Sequence, residues 1–565
     1  MAKMSRSDSC KIRALYHPTA AVCLALLAMI VLPGAARGQR AEYRAFWVDT
    51  FNTSLNNHSD VVEVVNRARA ANANAIFAQV RRRGDSWYLN SLEPLADRTP
   101  IEPGFDPLQD LITEAHASGI EVHAFVISCA IWNRDPRLFP PESPNHAFNL
   151  HGGFDPASGT IIQGPDNWLT RTLLPDQGTV ISFQGHRIGS DFWIDPGHPA
   201  AEAYTVDVLM HLVRNYDIDG LHLDRIRYPE LSVSGQTPST GANIGYNPTS
   251  IARFQRRYGL PQDAIPAPND PLWAQWRRDQ VSNLVRRIYL SALAIKPQLK
   301  ITAALIAFGS GPASWASAEA YWRVYQDWRA WTEEGILDIA IPMNYKTEHT
   351  AAGRAAYDSW NEWTKNHQYN RWTMIGQGAF LNAVEGSLRQ ARRALAVSAT
   401  GASVKGIIFY SMATSNVAVT ANPFSIPPGQ NTPARPFAEF AAGLTTGRSV
   451  DGTQLYEDPV DNPIPIFNAP ASIPVMPWKA SPTLGHVMGF ARVGPSTPLD
   501  TASVFIENAS TGAIRATRTD GGGFFGAVDL APGQYRAYVE FEEGRLFSPV
   551  FTVSPGAVTR VDIEP

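Results

Sequence analysis

"DGLHLDRIRYP", residues 219–229, starts as a buried strand and ends on charge. Leu221 and Leu223 alternate with His222 and Asp224, the two-residue period of a β-strand. The apolar character then stops, and Asp224, Arg225, Arg227 and Tyr228 follow in close succession. A strand written this way crosses a core and delivers a carboxylate to its rim. If helices cover one face of its sheet, Leu221 and Leu223 face them, and His222 and Asp224 face the other way.

The same unit recurs on both sides of this stretch, from about 43 to 445. Short runs rich in β-branched and aromatic residues occur at 44–50, 74–80, 121–128, 219–225, 300–307, 337–345, 372–378 and 406–412. Longer amphipathic segments lie between them, at 60–72, 106–118, 199–215, 271–295, 318–334, 350–366 and 382–398. The segment at 106–118 opens with Asp106 as a cap and Pro107 at the first helical position. Strand alternating with helix implies parallel strands joined by crossover helices. Eight such strands predict a (βα)8 TIM barrel. A doubly wound open sheet fits less well, because no glycine-rich phosphate loop follows the first strand. The longest connections follow the third and fourth strands, "WNRDPRLFPPESPNHAFNLHGGFDP" (132–156) and "PELSVSGQTPSTGANIGYNPTS" (229–250). In a barrel these insertions lie on the face where sites are built.

The texture changes after 445. Residues 446–481 read as a Pro-rich linker. From 482 to 565, short alternating runs separated by turns such as "TDGGG" and "LAPGQY" predict a small all-β sandwich. "TDGGGFFGAVDLAPGQYRAYVE" (519–540) resembles the carboxypeptidase-regulatory or transthyretin-like module. That resemblance implies an accessory domain without catalysis, able to associate with a cell surface.

At the other end, Lys3, Arg6, Lys11 and Arg13 precede the apolar run "AAVCLALLAMIVLPGAA" (20–36). This is the pattern of a secretory signal over residues 1–38, its apolar run short for a membrane span, and it predicts a secreted or periplasmic protein. Cys10 and Cys23 leave with the signal, so Cys129 remains alone and reads as a packing residue. A net charge of −4 gives no basis for nucleic-acid binding.

The predicted strand ends carry a consistent chemistry. The first offers Trp47 and Asp49; the second Gln79, Arg81 and Asp85; the third His123, with Trp132 beyond it. The fourth offers His222, Asp224 and Tyr228; the sixth Asn344, Tyr345 and Glu348; the seventh Gln377; the eighth Tyr410. Carboxylates, amides, cations and aromatic rings around one mouth suit a sugar: two carboxylates for acid–base or nucleophilic work, polar groups for hydroxyls, rings for stacking. Asp224 is the candidate ionised carboxylate. Glu348 is the first candidate for the acid, with Asp85 and Asp49 as alternatives. His123 and His222 lack ligand-spaced partners, and no metal or other cofactor is expected. "GSGPAS" (309–314) lacks the strand–elbow context of a nucleophilic serine.

"EYRAFWVDTF", "FAQVRRRGDSWY", "FDPLQDLITEAHASGIEVHAFV", "WIDPGHPAAEAYTVDVLMHLVRNYDIDGLHLDRIRYP" and "KGIIFYSM" together resemble the bacterial glycosyl-hydrolase-like family 10. The resemblance spans about 42–445. It implies a (βα)8 fold and an exported enzyme acting on a β-linked glycan; some relatives act on peptidoglycan strands stripped of peptides. The family pattern carries over at Gln79, Arg81, Gly84 and Asp85, and at His222, Asp224, Tyr228 and Pro229. Many members place a second acidic residue after the fourth-strand aspartate, where this chain has Arg225. The chain therefore reads as a secreted glycoside hydrolase. A non-catalytic glycan-binding protein on a degenerate barrel and a metal-dependent polysaccharide deacetylase are the alternatives.

Overall fold

The computed structural model describes residues 41–565 apart from 134–137, 139, 156–159, 162–163, 165, 174–179, 182–190, 231–235, 416–435, 456–464, 495–496 and 542–543. The expected signal segment, 1–38, lies outside the described residues. Eight parallel strands form the core: β1 (Tyr43–Val48), β2 (Ala75–Arg81), β3 (Glu121–Ile127), β4 (Gly220–Asp224), β5 (Lys300–Ile306), β6 (Ile339–Met343), β7 (Ile375–Gly378) and β8 (Gly406–Tyr410). Each pairs with its neighbours in chain order, and β8 pairs with β1, so the sheet closes into a (βα)8 barrel. All eight expected strands are present. Five helices match their sequence segments to within two residues: His58–Ala70, Pro107–Ala117, Pro199–Asn215, Pro271–Ile295 and Ala351–Asn366. Asp106 caps the second of them, accepting from the Gln109 N–H.

Inward side chains fill the barrel in layers. His123 lies flat on Phe77 at 4.2 Å, with Tyr43 edge-on at 6.2 Å. Gly220 makes this possible: a Cβ there would lie 2.1 Å from His123 Nδ1. One layer up, Trp47 fills the axis over Gly376, whose Cβ would lie 2.7 Å from the indole. Each buried ring contributes roughly 1.5–3 kcal/mol of apolar burial.

The segment expected as one helix at 318–334 breaks into Glu319–Trp322 and Trp328–Glu334. Tyr325 between them adopts φ 55°, and the Gln326 side chain accepts from the Ile306 N–H at 2.8 Å. That tertiary bond and the Arg277 guanidinium 3.9 Å from the Tyr325 ring offset the local strain.

Residues 465–481 are not a free spacer. Phe467 is buried against the barrel beneath Arg44, Asn74 Nδ2 donates to Ala471 O, and Trp478 Nε1 donates to Asp338 Oδ1 at 2.8 Å. These contacts seal the N-terminal end of the barrel. Beyond lie two sheets. One orders β12 (Phe524–Leu530), β9 (Gly485–Phe490) and β16 (Val558–Arg560). The other orders β11 (Ile514–Arg518), β10 (Ser503–Asn508), β13 (Gly533–Phe541) and β14 (Gly544–Phe547), with β15 (Phe551–Val553) also on β13. Val487, Ile506, Phe525, Ala537, Val553 and Ile563 belong to their shared core. This domain is tied to the barrel by Arg287–Asp520 (3.0 Å), Arg253–Asp500 (2.7 Å) and Arg371–Asp529 (2.8 Å). Among the described residues, no helix is long and apolar enough to cross a membrane.

Candidate active site

The mouth is built at the C-terminal ends of the strands. Its floor is the pair Trp47–His222. Trp47 Nε1 lies 2.9 Å from His222 Nε2. An indole N–H only donates, so Nε2 accepts, the ring proton sits on Nδ1, and Nδ1 donates to Thr302 Oγ1 at 2.8 Å. Burial drives the His222 pKa well below its ordinary value, so the imidazole stays neutral. As the alternation predicts, His222 and Asp224 face the axis, but His222 supports the floor and lies 0% exposed.

Above the floor, Tyr345 from the end of β6 and Tyr410 from β8 stand 5.7 Å apart. Phe380, just after β7, lies 5.8 Å from Tyr345 and 6.0 Å from Tyr410. Trp47 closes the group, 6.2 and 6.0 Å from the two tyrosines. Burial, joined by the charges of Asp224 and Asp49, raises the pKa of both tyrosine hydroxyls, so both remain protonated donors.

Across the mouth stands a charged wall. Asp224 Oδ1 accepts the Arg225 backbone N–H at 2.7 Å. Burial raises the Asp224 carboxyl above the ordinary aspartate range, against the opposing pull of Arg225 and Arg227. Glu230 pairs with Arg227 at 2.5 Å. Burial alone would raise Glu230, but Arg227 and a backbone N–H bring it below the usual range. Asp191, from the insertion after β3, accepts from Arg83 at 2.5 Å and from Arg225. The guanidinium groups of Arg225 and Arg227 lie 5.5 and 5.1 Å from the Trp193 ring. Sequence reasoning missed Glu230, Asp191 and Trp193. Glu230 was findable as the next carboxylate beyond Asp224 on the same strand-end segment.

Several expected site residues point elsewhere. Glu348 is 1% exposed, and Arg393 binds both its oxygens at 3.0 and 2.7 Å between the helices Ala351–Asn366 and Val384–Leu395. Both oxygens of its carboxylate are engaged by that guanidinium. Asp85 is fully buried and accepts the Arg83 and Asp97 N–H groups, folding the loop after β2. Asn344 donates to Tyr357 O and Asn361, and Gln377 donates to Ser387 O, so both face the helix layer. Arg81 grips Glu93 with two bonds of 2.7 Å and is 1% exposed. Gln79 holds Thr50; Trp132 Nε1 donates to Leu138 O; the Tyr228 hydroxyl donates to buried Asp195. His123 lies in the lower barrel layer beside Glu121. Asp49 is 0% exposed and accepts from the Asn52 N–H just after β1, where its charge acts on Tyr345 and Tyr410. None of these reaches the opening in this arrangement. Of the expected set, Asp224, Tyr345 and Tyr410 come together there.

Among the described residues, no three His, Cys, Asp or Glu side chains converge as metal ligands. Cys129 is buried, and burial pushes its thiol up to about 12, which leaves it protonated and unreactive.

The chain is similar in sequence to proteins named glycosyl hydrolases. "Glycosyl hydrolase DigH" of Escherichia coli O6:H1 is 24% identical over 320 residues, 54% of this chain and 61% of that protein. "Glycosyl hydrolase YngK" of Bacillus subtilis is 26% identical over 337 residues, 57% of this chain and 55% of that protein. This chain thus spans little more than half the length of these relatives. The glycoside hydrolase domain of PgaB (BpsB) from Bordetella bronchiseptica aligns over 66% of this chain and 94% of its own, at 14% identity and a TM-score of 0.43. So distant a likeness adds nothing to the barrel that the strand pairing establishes. The sequence profile of the family named Glycosyl hydrolase-like 10 matches residues 42–393, most of the barrel, and the chain belongs to that family.

Proposed function

We propose that this protein hydrolyses glycosidic bonds in a β-linked glycan, with Asp224 as the general acid and Glu230 as the ionised partner. The observation that carries the reading is a pair of carboxyl groups at one mouth whose environments push their proton affinities apart, Asp224 upward and Glu230 downward. A glycosidase needs that division: one carboxyl to protonate the leaving oxygen, one carboxylate to activate water or attack the anomeric carbon. The roles differ from the reading of the sequence alone, in which Asp224 is the ionised member and Glu348 the acid. Tyr345, Tyr410 and Phe380 supply apolar ring surface and two hydroxyl donors for a sugar. The chemistry needs no cofactor. Peptide-free peptidoglycan strands are the substrate we favour, and the amino-terminal segment supports export to the periplasm or the medium.

The test is product analysis by mass spectrometry. The protein and its Asp224→Asn variant are incubated with peptide-free peptidoglycan strands and a panel of β-linked polysaccharides, with and without chelator. Chelator-resistant cleavage that disappears in the variant is expected. Oligosaccharide binding without any product would favour the glycan-binding alternative, and chelator-sensitive release of acetate would favour the deacetylase.

A further inference from the structure

We propose that Arg225 is a positioning residue for Asp224, with Asp191 as its anchor; the inference rests on Asp224 being the acid. Arg225 follows Asp224 directly and has φ 48°, a left-handed conformation that an arginine rarely adopts. Its N–H, fixed by the peptide plane it shares with Asp224, donates to Asp224 Oδ1 at 2.7 Å and holds the carboxyl rotamer. The left-handed conformation directs the guanidinium to the insertion after β3, where it pairs with Asp191 and lies 5.5 Å from Trp193. Asp191 is 1% exposed and is held from the other side by Arg83 of the β2 loop. Three loops, following β2, β3 and β4, thus converge in an Arg–Asp–Arg triad behind the acid.

The groups that act on Asp224 can be named by element. Its own segment brings Arg225, Arg227 and Glu230; the end of β6 brings Tyr345, and β8 brings Tyr410, with Asp49 just after β1 acting on both tyrosines. Arg225 alone combines a covalent neighbour, a hydrogen bond and a charge. Burial favours the protonated carboxyl, and the Arg225 cation favours the ionised one. An acid that must release its proton and take it back in each cycle works best between those limits. Asp191 moderates the cation by neutralising part of it.

The experiment is the pH dependence of kcat/KM on peptide-free glycan strands for Arg225→Gly, Arg225→Lys and Asp191→Asn. Glycine accepts the left-handed conformation, so Arg225→Gly removes the guanidinium with the backbone retained. Without that cation the proton on Asp224 persists to higher pH, so the alkaline limb is expected to move up by about one pH unit, with Arg225→Lys restoring most of its position. In Asp191→Asn the cation is less neutralised, and the limb is expected to move down. A loss of rate with both limbs unmoved, or a shift in the same direction in both variants, would overturn the inference and leave Arg225 as scaffold. Unchanged turnover in Asp224→Asn would instead overturn the assignment of the acid on which it rests.

Discussion

Substituting Glu348 by Gln separates an ion-pair role from an acid role. Glu348 is 1% exposed, and Arg393 donates to both its oxygens at 3.0 and 2.7 Å, with Arg389 at 3.6 Å. Breaking a fully buried pair by removing one partner costs about 3–5 kcal/mol. Here the cost is smaller for two reasons. Arg393 is 29% exposed, and it keeps its bond to Asp358 at 2.8 Å, so the guanidinium is not stranded. Glutamine also keeps one oxygen that accepts. About 2–3 kcal/mol remains, the value of one charge-assisted hydrogen bond. With an unfolding entropy of ~2.1 cal/mol/K per residue over a barrel of roughly 400 residues, that lowers the apparent Tm by about 3 °C. The assay is scanning calorimetry beside turnover on the same preparation. The expected result is lower stability with kcat within about threefold of the parent. A variant with unchanged Tm and turnover reduced by about a thousandfold would refute the assignment and return Glu348 to the role of acid.

Two further outcomes follow from the packing. Glu202 is buried beside Asp520 of the C-terminal domain, with Arg287 and Arg253 nearby; burial and then the Asp520 charge raise its pKa well above the ordinary value. Its folded-state pKa exceeds the unfolded one, so its contribution is complete below about pH 4 and is lost as pH rises through the raised value. Glu202→Gln should therefore raise the apparent Tm by about 1–3 °C at pH 8 and leave it unchanged near pH 4, as read by calorimetry across that range. Gly376→Val places a Cβ 2.7 Å from the Trp47 ring and 2.9 Å from Pro342 O. It should cost about 1–3 kcal/mol by overpacking, break the Trp47–His222 bond, and change the intrinsic tryptophan fluorescence; an unchanged emission spectrum would mean that the floor adapts.

The barrel was legible because most strands carry an apolar run ended by polar residues, and several crossover helices have a clear start. Proline at the first helical position marks Pro107–Ala117, Pro199–Asn215 and Pro271–Ile295. The orientation of β4 was legible too, because its alternation is unbroken. The orientation of β6 was not. Ile339, Ala340, Ile341, Pro342 and Met343 are apolar on both faces, as parallel strands are, so nothing in the sequence says that Tyr345 faces the mouth and Asn344 the helices. Gln377 fails for the same reason, next to two glycines on β7. Glu348 and Arg81 look like site residues because charge at a strand end is ambiguous. Their partners, Arg393 and Glu93, are set by the tertiary fold. Tyr325 breaks an expected helix without the glycine that would announce a positive φ. The segment at 465–481 reads as linker by composition, yet Phe467 and Trp478 anchor it to the barrel.

The central claim, that Asp224 donates the proton and Glu230 works ionised, is tested most directly with two substrates that differ in leaving group. A dinitrophenyl glycoside departs without protonation, whereas a sugar leaving group needs it. Asp224→Asn should lose at least a thousandfold in kcat/KM on the glycan strand and keep most of its activity on the dinitrophenyl glycoside, while Glu230→Gln should lose both. Equal losses on both substrates in Asp224→Asn, with Glu230→Gln fully active, would contradict the account and restore Asp224 as the ionised carboxylate.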